Sequence, residues 1–288
     1  MADSDMDSQK RRAWLKRVIG LAIVIVLLFV MLRWFEHSQV YYPSRELEAA
    51  PGELGRAFAD VRFKAGDGVA LHGWFFPADT NSPRAGMAFL ICHGNGGNLS
   101  HRLALCAALL ETGASVFVFD YRGYGQSHGR PGEEGTYRDA QAAHAWLRQK
   151  GFRGGDIIAF GESLGGGVVS ELALRETLGG LVLQSTFTSI PDIGAEIYPW
   201  LPVRWMSTIK YDTHAKLPRI KVPVLVMHSR ADDLARFSHA EKNFAAANEP
   251  KAFCELNGRH NEAVWEQTEF REATEKFLKL VESRQSGK

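Results

Sequence analysis

Cysteine is scarce in this chain: its 288 residues include three, Cys92, Cys106 and Cys254. That number excludes a disulfide-stapled scaffold, and each thiol sits in an apolar run, where cysteine behaves as a small buried hydrophobe. Neither a C-x-x-C nor an H-E-x-x-H spacing occurs, so the common zinc-site patterns are absent and no metal is expected. An excess of one charge is missing as well. The 34 Lys and Arg offset 33 Asp and Glu to a formal +1. Nucleic-acid binding, which needs clustered positive charge to displace counterions, is therefore not expected. Internal repeats and low-complexity tracts are also lacking. With 45% hydrophobic and 23% charged residues, the composition is that of a folded globular protein, not a collagen, a coiled-coil array or a disordered chain.

What the chain does have begins at its N-terminus. Residues 1–17 carry three Asp, then Lys10, Arg11, Arg12, Lys16 and Arg17. From Val18 to Leu32 run 15 residues without a charge, followed by Arg33, Trp34 and Phe35. A bilayer-spanning helix needs about 20 apolar residues, with about 17 as a workable minimum. Residues 18–35 meet that minimum if the Arg33 side chain reaches toward the headgroups, and Trp14 and Trp34 lie where interfacial aromatics gather. No small-x-small cleavage site follows, so an uncleaved signal anchor is expected, not a signal peptide. The cations cluster before the segment. By the positive-inside rule they keep residues 1–17 cytoplasmic and send the large domain across the membrane, into the periplasm in a bacterium.

Residues 36–60 hold Pro43, Pro51 and Gly52 and read as a linker along a domain edge; residues 61–282 read as one domain and 283–288 as a polar tail. Alternation over 61–63 and 69–76, around Gly66-Asp67-Gly68, predicts an antiparallel hairpin. Short apolar runs follow at 88–92, 115–120, 157–160, 180–184, 222–227 and 252–256. They lack polar alternation, as strands covered on both faces do. Between them, Leu99, Leu103, Cys106 and Leu110 recur at helical spacing, as do Ala140, Ala143 and Leu147, and later Phe270, Ala273, Phe277 and Val281. Such alternation predicts an α/β fold, a mostly parallel sheet with helices on both faces.

The strongest chemical signal is Gly161-Glu162-Ser163-Leu164-Gly165, between the 157–160 strand and an apolar helix running to Arg175. This is the strand–turn–helix setting of a nucleophile elbow. Glycine at both ends removes side chains that would crowd so sharp a turn. The serine would stand at a helix N-terminus, where free N–H groups favour developing negative charge. A serine hydroxyl also needs a base, and the base an orienting acid. In such a fold they follow at later strand ends, acid before histidine. Asp232 and Asp233 follow the 222–227 strand, and His260 follows 252–256. Ser163, Asp232 and His260 are the expected triad, with Asp233 as the alternative acid, more suited to supporting the loop. His228 ends a strand too early in the chain to be the base and reads as a structural hydrogen-bonding residue.

A second glycine-rich loop, His93-Gly94-Asn95-Gly96-Gly97-Asn98, follows the 88–92 strand. It lacks G-x-G-x-x-G and a P-loop lysine, so it is expected to form one wall of an oxyanion hole, with backbone N–H donors at Asn95 and Leu164. In Asp120-Tyr121-Arg122-Gly123-Tyr124-Gly125-Gln126-Ser127, the Asp and Arg read as tying down a tight glycine turn.

Taken in order, GESLG, HGNGGN, DYRGYGQS and the late Asp and His make residues 40–282 resemble the α/β-hydrolase superfamily. Within it the chain is most similar to small membrane-anchored serine hydrolases, a serine aminopeptidase-like group related to protein depalmitoylases. Carried over, the family's triad falls on Ser163, Asp232 and His260. Two departures stand out. Ser229 occupies the place of a usual Gly after His228, with Leu234-Ala235-Arg236-Phe237 beyond it, and Arg259 replaces a usual Gly before His260. Both would change the rim of a pocket without removing a catalytic group.

Residues 186–219 follow the 180–184 strand, where this fold carries its lid; their apolar residues read either as ordinary helix packing over the sheet or as an apolar acyl pocket, with Tyr198, Trp200, Trp205 and Met206 as its candidate lining. The expected activity is hydrolysis of an ester or thioester through an acyl-enzyme. Its hydrophobic acyl group would be carried by a small molecule, a lipid or a lipidated protein, and no metal or organic cofactor is required. Serine peptidase or aminopeptidase activity is the alternative. A membrane-tethered binding protein that has lost the chemistry is a further one.

Overall fold

Residues 2–40 contain no proline and a single glycine, Gly20, so nothing in them stops a helix once begun. In the computed structural model, α1 runs unbroken over Ala2–Val40. It exceeds the expected 18–35 segment because helical hydrogen bonding continues past the apolar run; the chain turns extended only at Tyr42, before Pro43. Within it, the 27-residue stretch Trp14–Val40 contains an 18-residue window with a mean hydropathy of 2.7. The stretch is about 40 Å of helix, enough to cross a hydrocarbon core of about 30 Å. The structure describes residues 2–286; Met1, Gly287 and Lys288, and with them the end of the expected polar tail, lie outside the described residues. Residues 1–40 form one unit and residues 41–288 a second, which holds the sheet.

The second unit opens with β1 (Tyr42–Pro43) and the hairpin β2 (Ala59–Lys64) and β3 (Ala70–Phe76). Then come β4 (Ala88–Cys92), β5 (Gly96–Gly97), α2 (Leu103–Leu110), β6 (Ser115–Asp120), α3 (Glu133–Gln149), β7 (Ile157–Glu162), α4 (Leu164–Arg175) and β8 (Gly180–Gln184). Three short helices follow, α5 (Ile190–Ile197), α6 (Val203–Met206) and α7 (Thr213–Lys216). The chain closes with β9 (Val224–Ser229), α8 (Phe237–Ala246), β10 (Lys251–Leu256) and α9 (Thr268–Ser286). The last helix therefore takes in residues 283–286, which the sequence had assigned to the tail.

Eight strands form one sheet in the order β10-β9-β8-β7-β4-β6-β3-β2. All neighbours are parallel except β3, which runs antiparallel to both β6 and β2. Cover on both sides explains the apolar runs of β4, β6, β7, β8 and β9; the 252–256 run, expected to be covered likewise, forms the edge strand β10 and leaves Glu255 exposed. Phe89, Ile91, Val116, Val118, Phe160 and Val182 share a cluster with α2 and α9 through Leu105, Leu109, Phe270 and Phe277. One step out of phase, Phe117 faces the other way and stacks on Trp146 of α3, ring centroids 4.5 Å apart.

Strand β4 is the point from which the chain leaves in both directions, with β6 on one side and β7 on the other. Ligands of open parallel sheets bind in the crevice outside the strand ends at such a switch point. The register pairs Cys92 with Gly161, so the loops after β4 and β7 emerge side by side. A Cβ at Gly161 would lie 2.6 Å from both Gly166 Cα and Val169 Cγ2. Gly161→Ala should therefore lower unfolding stability by about 1–3 kcal/mol through overpacking, read from urea titration of the full chain in detergent. An unchanged midpoint would contradict this packing.

Candidate active site

Ser163 links the last residue of β7 to the first of α4, with φ 50° and ψ −112°. This is a positive-φ conformation that L residues seldom adopt. Glycine on either side makes the turn possible: a Cβ at Gly165 would collide with the Cys92 carbonyl. The turn is also tied down, because the Ser163 N–H donates to Gln184 O at 2.9 Å and its carbonyl accepts from the Gly166 N–H at 3.0 Å. Leu164 is the first residue of α4, so its N–H has no acceptor within the helix.

The side chains from three strand ends meet here. Ser163 Oγ–H donates to His260 Nε2 at 3.0 Å, and His260 Nδ1–H donates to Asp232 Oδ2 at 2.8 Å. The carboxylate can only accept, which fixes the imidazole tautomer and leaves Nε2 free to receive a proton. Asp232 Oδ1 accepts the N–H groups of Leu234 and Ala235 at 3.0 and 2.8 Å. Burial pushes the Asp232 carboxyl up, but the His260 partner and these two N–H groups outweigh it and hold the group below the ordinary carboxylate value. The side chains of Asp232 and His260 are 0% and 6% exposed, so the pair is shielded from solvent screening.

Asp233 behaves differently. It is exposed, it accepts the His260 N–H at 3.1 Å, and Arg259 Nη2 donates to it at 2.6 Å. The unusual Arg259 thus braces the loop that presents His260. His228 Nε2–H donates to Ala235 O at 2.7 Å, holding the acid loop. Burial pushes its imidazole below the usual range, so it remains neutral near Asp232 at pH 7 and adds no competing charge. In the β6 turn, Asp120 Oδ1 accepts the Leu99 N–H at 2.8 Å. Arg122 bridges Asp139 and Asp67, at 2.8 Å to each. Both are anchoring contacts.

One pair was not legible in the sequence. Arg102 grips Glu162, the residue before Ser163, through two hydrogen bonds, Nε to Oε2 at 2.9 Å and Nη2 to Oε1 at 3.1 Å. Its Nη1–H donates to Gly96 O at 2.9 Å, and the Gly94 N–H reaches Glu162 Oε2 at 3.4 Å. The glycine loop is thereby fastened to the elbow. From behind, Asn95 O accepts the Tyr42 N–H at 3.1 Å and Tyr124 Oη–H at 2.9 Å. The signal in the sequence was the acid inside GESLG, which burial obliges to find a cation.

A cleft of about 550 Å³ opens at Ser163. Asn95, His101, Arg102, Glu162, His260, Asn261 and Glu262 give it polar walls, and Tyr42, Leu234 and Trp265 supply its large apolar surfaces. Tyr198, Trp200, Trp205 and Met206, the candidate lining of an acyl pocket, are not among its lining residues. Trp200 and Trp205 instead stand 77% and 92% exposed. Pro199 and Pro202 bracket the Trp200-Leu201 pair.

A family model described as the alpha/beta hydrolase fold matches residues 88–277. An uncharacterized protein of Mycobacterium tuberculosis is 38% identical over 256 residues, covering 86% of this chain and 90% of that protein. The uncharacterized protein YfhR of Salmonella typhi is 30% identical over 262 residues, covering 85% and 87%. Among solved structures, an esterase of Pyrococcus furiosus superposes with a TM-score of 0.69 at 20% identity, over 84% of this chain and 97% of that one. At that identity the likeness is one of fold.

Burial pushes the Glu162 carboxyl up, but the Arg102 charge and hydrogen bonds, with help from His93 and the Gly94 N–H, hold it below its ordinary 4.5. A depressed native pKa adds stability that is complete above the unfolded value and is lost as pH falls through the native one. The stability advantage of the wild type over Glu162→Gln should thus be constant well above pH 4.5 and shrink below it. Urea midpoints measured across that range test this, and a gap independent of pH would contradict it.

Proposed function

The chain belongs to the α/β-hydrolase family of enzymes, and we propose that it is a serine hydrolase acting on an ester or thioester whose acyl group is hydrophobic. The observation that carries this reading is the continuous hydrogen-bonded line from Asp232 through His260 to Ser163, ending at the N-terminus of α4. His260 takes the Ser163 proton as Oγ attacks the acyl carbon, and Asp232 stabilises the imidazolium that forms. The N–H groups of Asn95 and Leu164 hold the oxyanion. A donor of this kind is worth about 10²–10³ in rate, roughly 2.7–4 kcal/mol. His260 then protonates the leaving alcohol or thiol, and water repeats the sequence on the acyl-enzyme.

The substrate class rests on two supports. Tyr42, Leu234 and Trp265 give the cleft apolar walls against which an acyl chain can lie. The apolar helix Trp14–Val40 has the length and composition of a membrane anchor, which would keep the enzyme beside lipids and lipidated proteins. In this reading residues 1–17 are cytoplasmic and the hydrolase unit lies across the membrane. Glu262, exposed in the cleft, favours a second reading, an aminopeptidase that grips a free amine.

Ser163→Ala should lower p-nitrophenyl ester turnover by about 10⁶ if the three residues act as a unit, measured with purified full chain in detergent; near-normal turnover would remove the nucleophile assignment. Across esters of increasing chain length, octanoyl should exceed acetyl in kcat/KM, and aminoacyl anilides should be poor substrates. Preference for acetyl would remove the hydrophobic acyl group, and preference for the anilides would favour the aminopeptidase.

A further inference from the structure

Outside α1, six large hydrophobic side chains stand exposed among the described residues, and three of them, Ile197, Trp200 and Trp205, fall within nine consecutive positions. Trp205 and Trp200 are the most exposed of the six, at 92% and 77%. Indoles left in water forgo the burial that makes tryptophan valuable in a core. The segment is nonetheless not loose. Helix α6 packs on α5 closely enough that a Cβ at Gly194 would lie 2.8 Å from Val203 Cγ1. The backbone that turns the two indoles outward is therefore fixed.

Charge points to what covers them. From Ile197 to Tyr211 there is no Asp or Glu, and the two charged residues are Arg204 and Lys210. Arg204 shares Asp192 of α5, at 2.9 Å, and its side chain stays 67% exposed. Aromatic residues with cations and no acid are the composition of a surface that settles at the headgroup level of a bilayer.

Position points the same way. Tyr211, at the end of the segment, meets Tyr41 with hydroxyls 3.0 Å apart and ring centroids 6.4 Å apart. Tyr41 is the residue at which the chain leaves α1. Six residues separate Trp205 from Tyr211, which limits their distance to about 20 Å. Within the hydrolase unit, Trp205 is thus within chain reach of Tyr211 and so of Tyr41, the unit's first residue.

We infer that the segment 197–210 is a second membrane contact: Trp200 and Trp205 enter the headgroup region of a bilayer containing anionic lipid, with Arg204 and Lys210 among its phosphates. The inference rests on reading α1 as a bilayer-spanning anchor. It would tether the hydrolase unit to the surface at two places and restrict the directions from which substrate reaches the Ser163 cleft.

The test uses full chain carrying Trp14→Phe and Trp34→Phe, so that indole emission comes from the hydrolase unit. It is reconstituted in vesicles of phosphatidylcholine and phosphatidylglycerol, with or without bromine on the acyl chains near the headgroups. Bromolipid should quench part of the emission, and adding Trp200→Phe and Trp205→Phe should abolish that quenching while far-ultraviolet circular dichroism is unchanged. If the protein stays with the vesicles through an alkaline wash but bromolipid quenches nothing, the second contact is overturned and the anchor stands. Release by the wash overturns the anchor reading, and this inference with it. If quenching is absent and sedimentation in detergent shows a dimer that the Phe variants dissociate, the surface belongs to a second copy of the chain and the inference fails.

Discussion

The Ser163 backbone is held at φ 50° and ψ −112°, a conformation that costs on the order of 1–3 kcal/mol, and the surrounding architecture keeps it there. Parallel pairing of β7 with β4 and β8 supplies the platform, with Cys92 opposite Gly161 and Gln184 opposite Glu162. Helix α4 approaches that platform through Gly165 and Gly166, where side chains would strike Cys92 and Thr186. Asp232 and His260 follow from where β9 and β10 end, and each is positioned by ordinary hydrogen bonds.

Electrostatics around the serine follow from that tightness. In the proposed reaction, an unpaired carboxylate next to Ser163 would oppose the negative charge that builds on the acyl oxygen, and in a part-buried site the repulsion would be poorly screened. Glu162 is in that place. Arg102 neutralises it and also binds the Gly96 carbonyl, so the same guanidinium removes a harmful charge and braces the loop that faces the serine. On the other side, burial raises the Asp232 carboxyl, but His260 and then the N–H groups of Leu234 and Ala235 hold it below its ordinary value. Neutral His228 and the exposed Asp233–Arg259 pair secure the two loops without contributing a charge that competes for His260.

Legibility in the sequence tracked the range of the interactions. The hairpin, the five buried strands and the edge strand β10 could be read because each is set by a local run, and the elbow because its glycines lie two positions from the serine. Strands β1 and β5 could not, since two residues carry no periodicity. The Arg102–Glu162 pair joins residues 60 positions apart and has no local signature. Asp232 and Asp233 are neighbours of one chemistry; only the direction of each carboxylate, one toward His260 Nδ1 and the other toward Arg259, separates them. The apolar composition of 198–206 suits helix packing and a pocket alike, because composition does not say which way a side chain faces, and the two indoles stand exposed.

In the proposed mechanism, the His260–Ser163 hydrogen bond makes the hydroxyl at this bend a nucleophile. The site and rate of phosphonylation by a fluorophosphonate, followed by peptide mass spectrometry on purified full chain, read this out. A single adduct on Ser163 is expected, forming orders of magnitude more slowly in His260→Ala. An adduct on another residue, or an equal rate in His260→Ala, would contradict it.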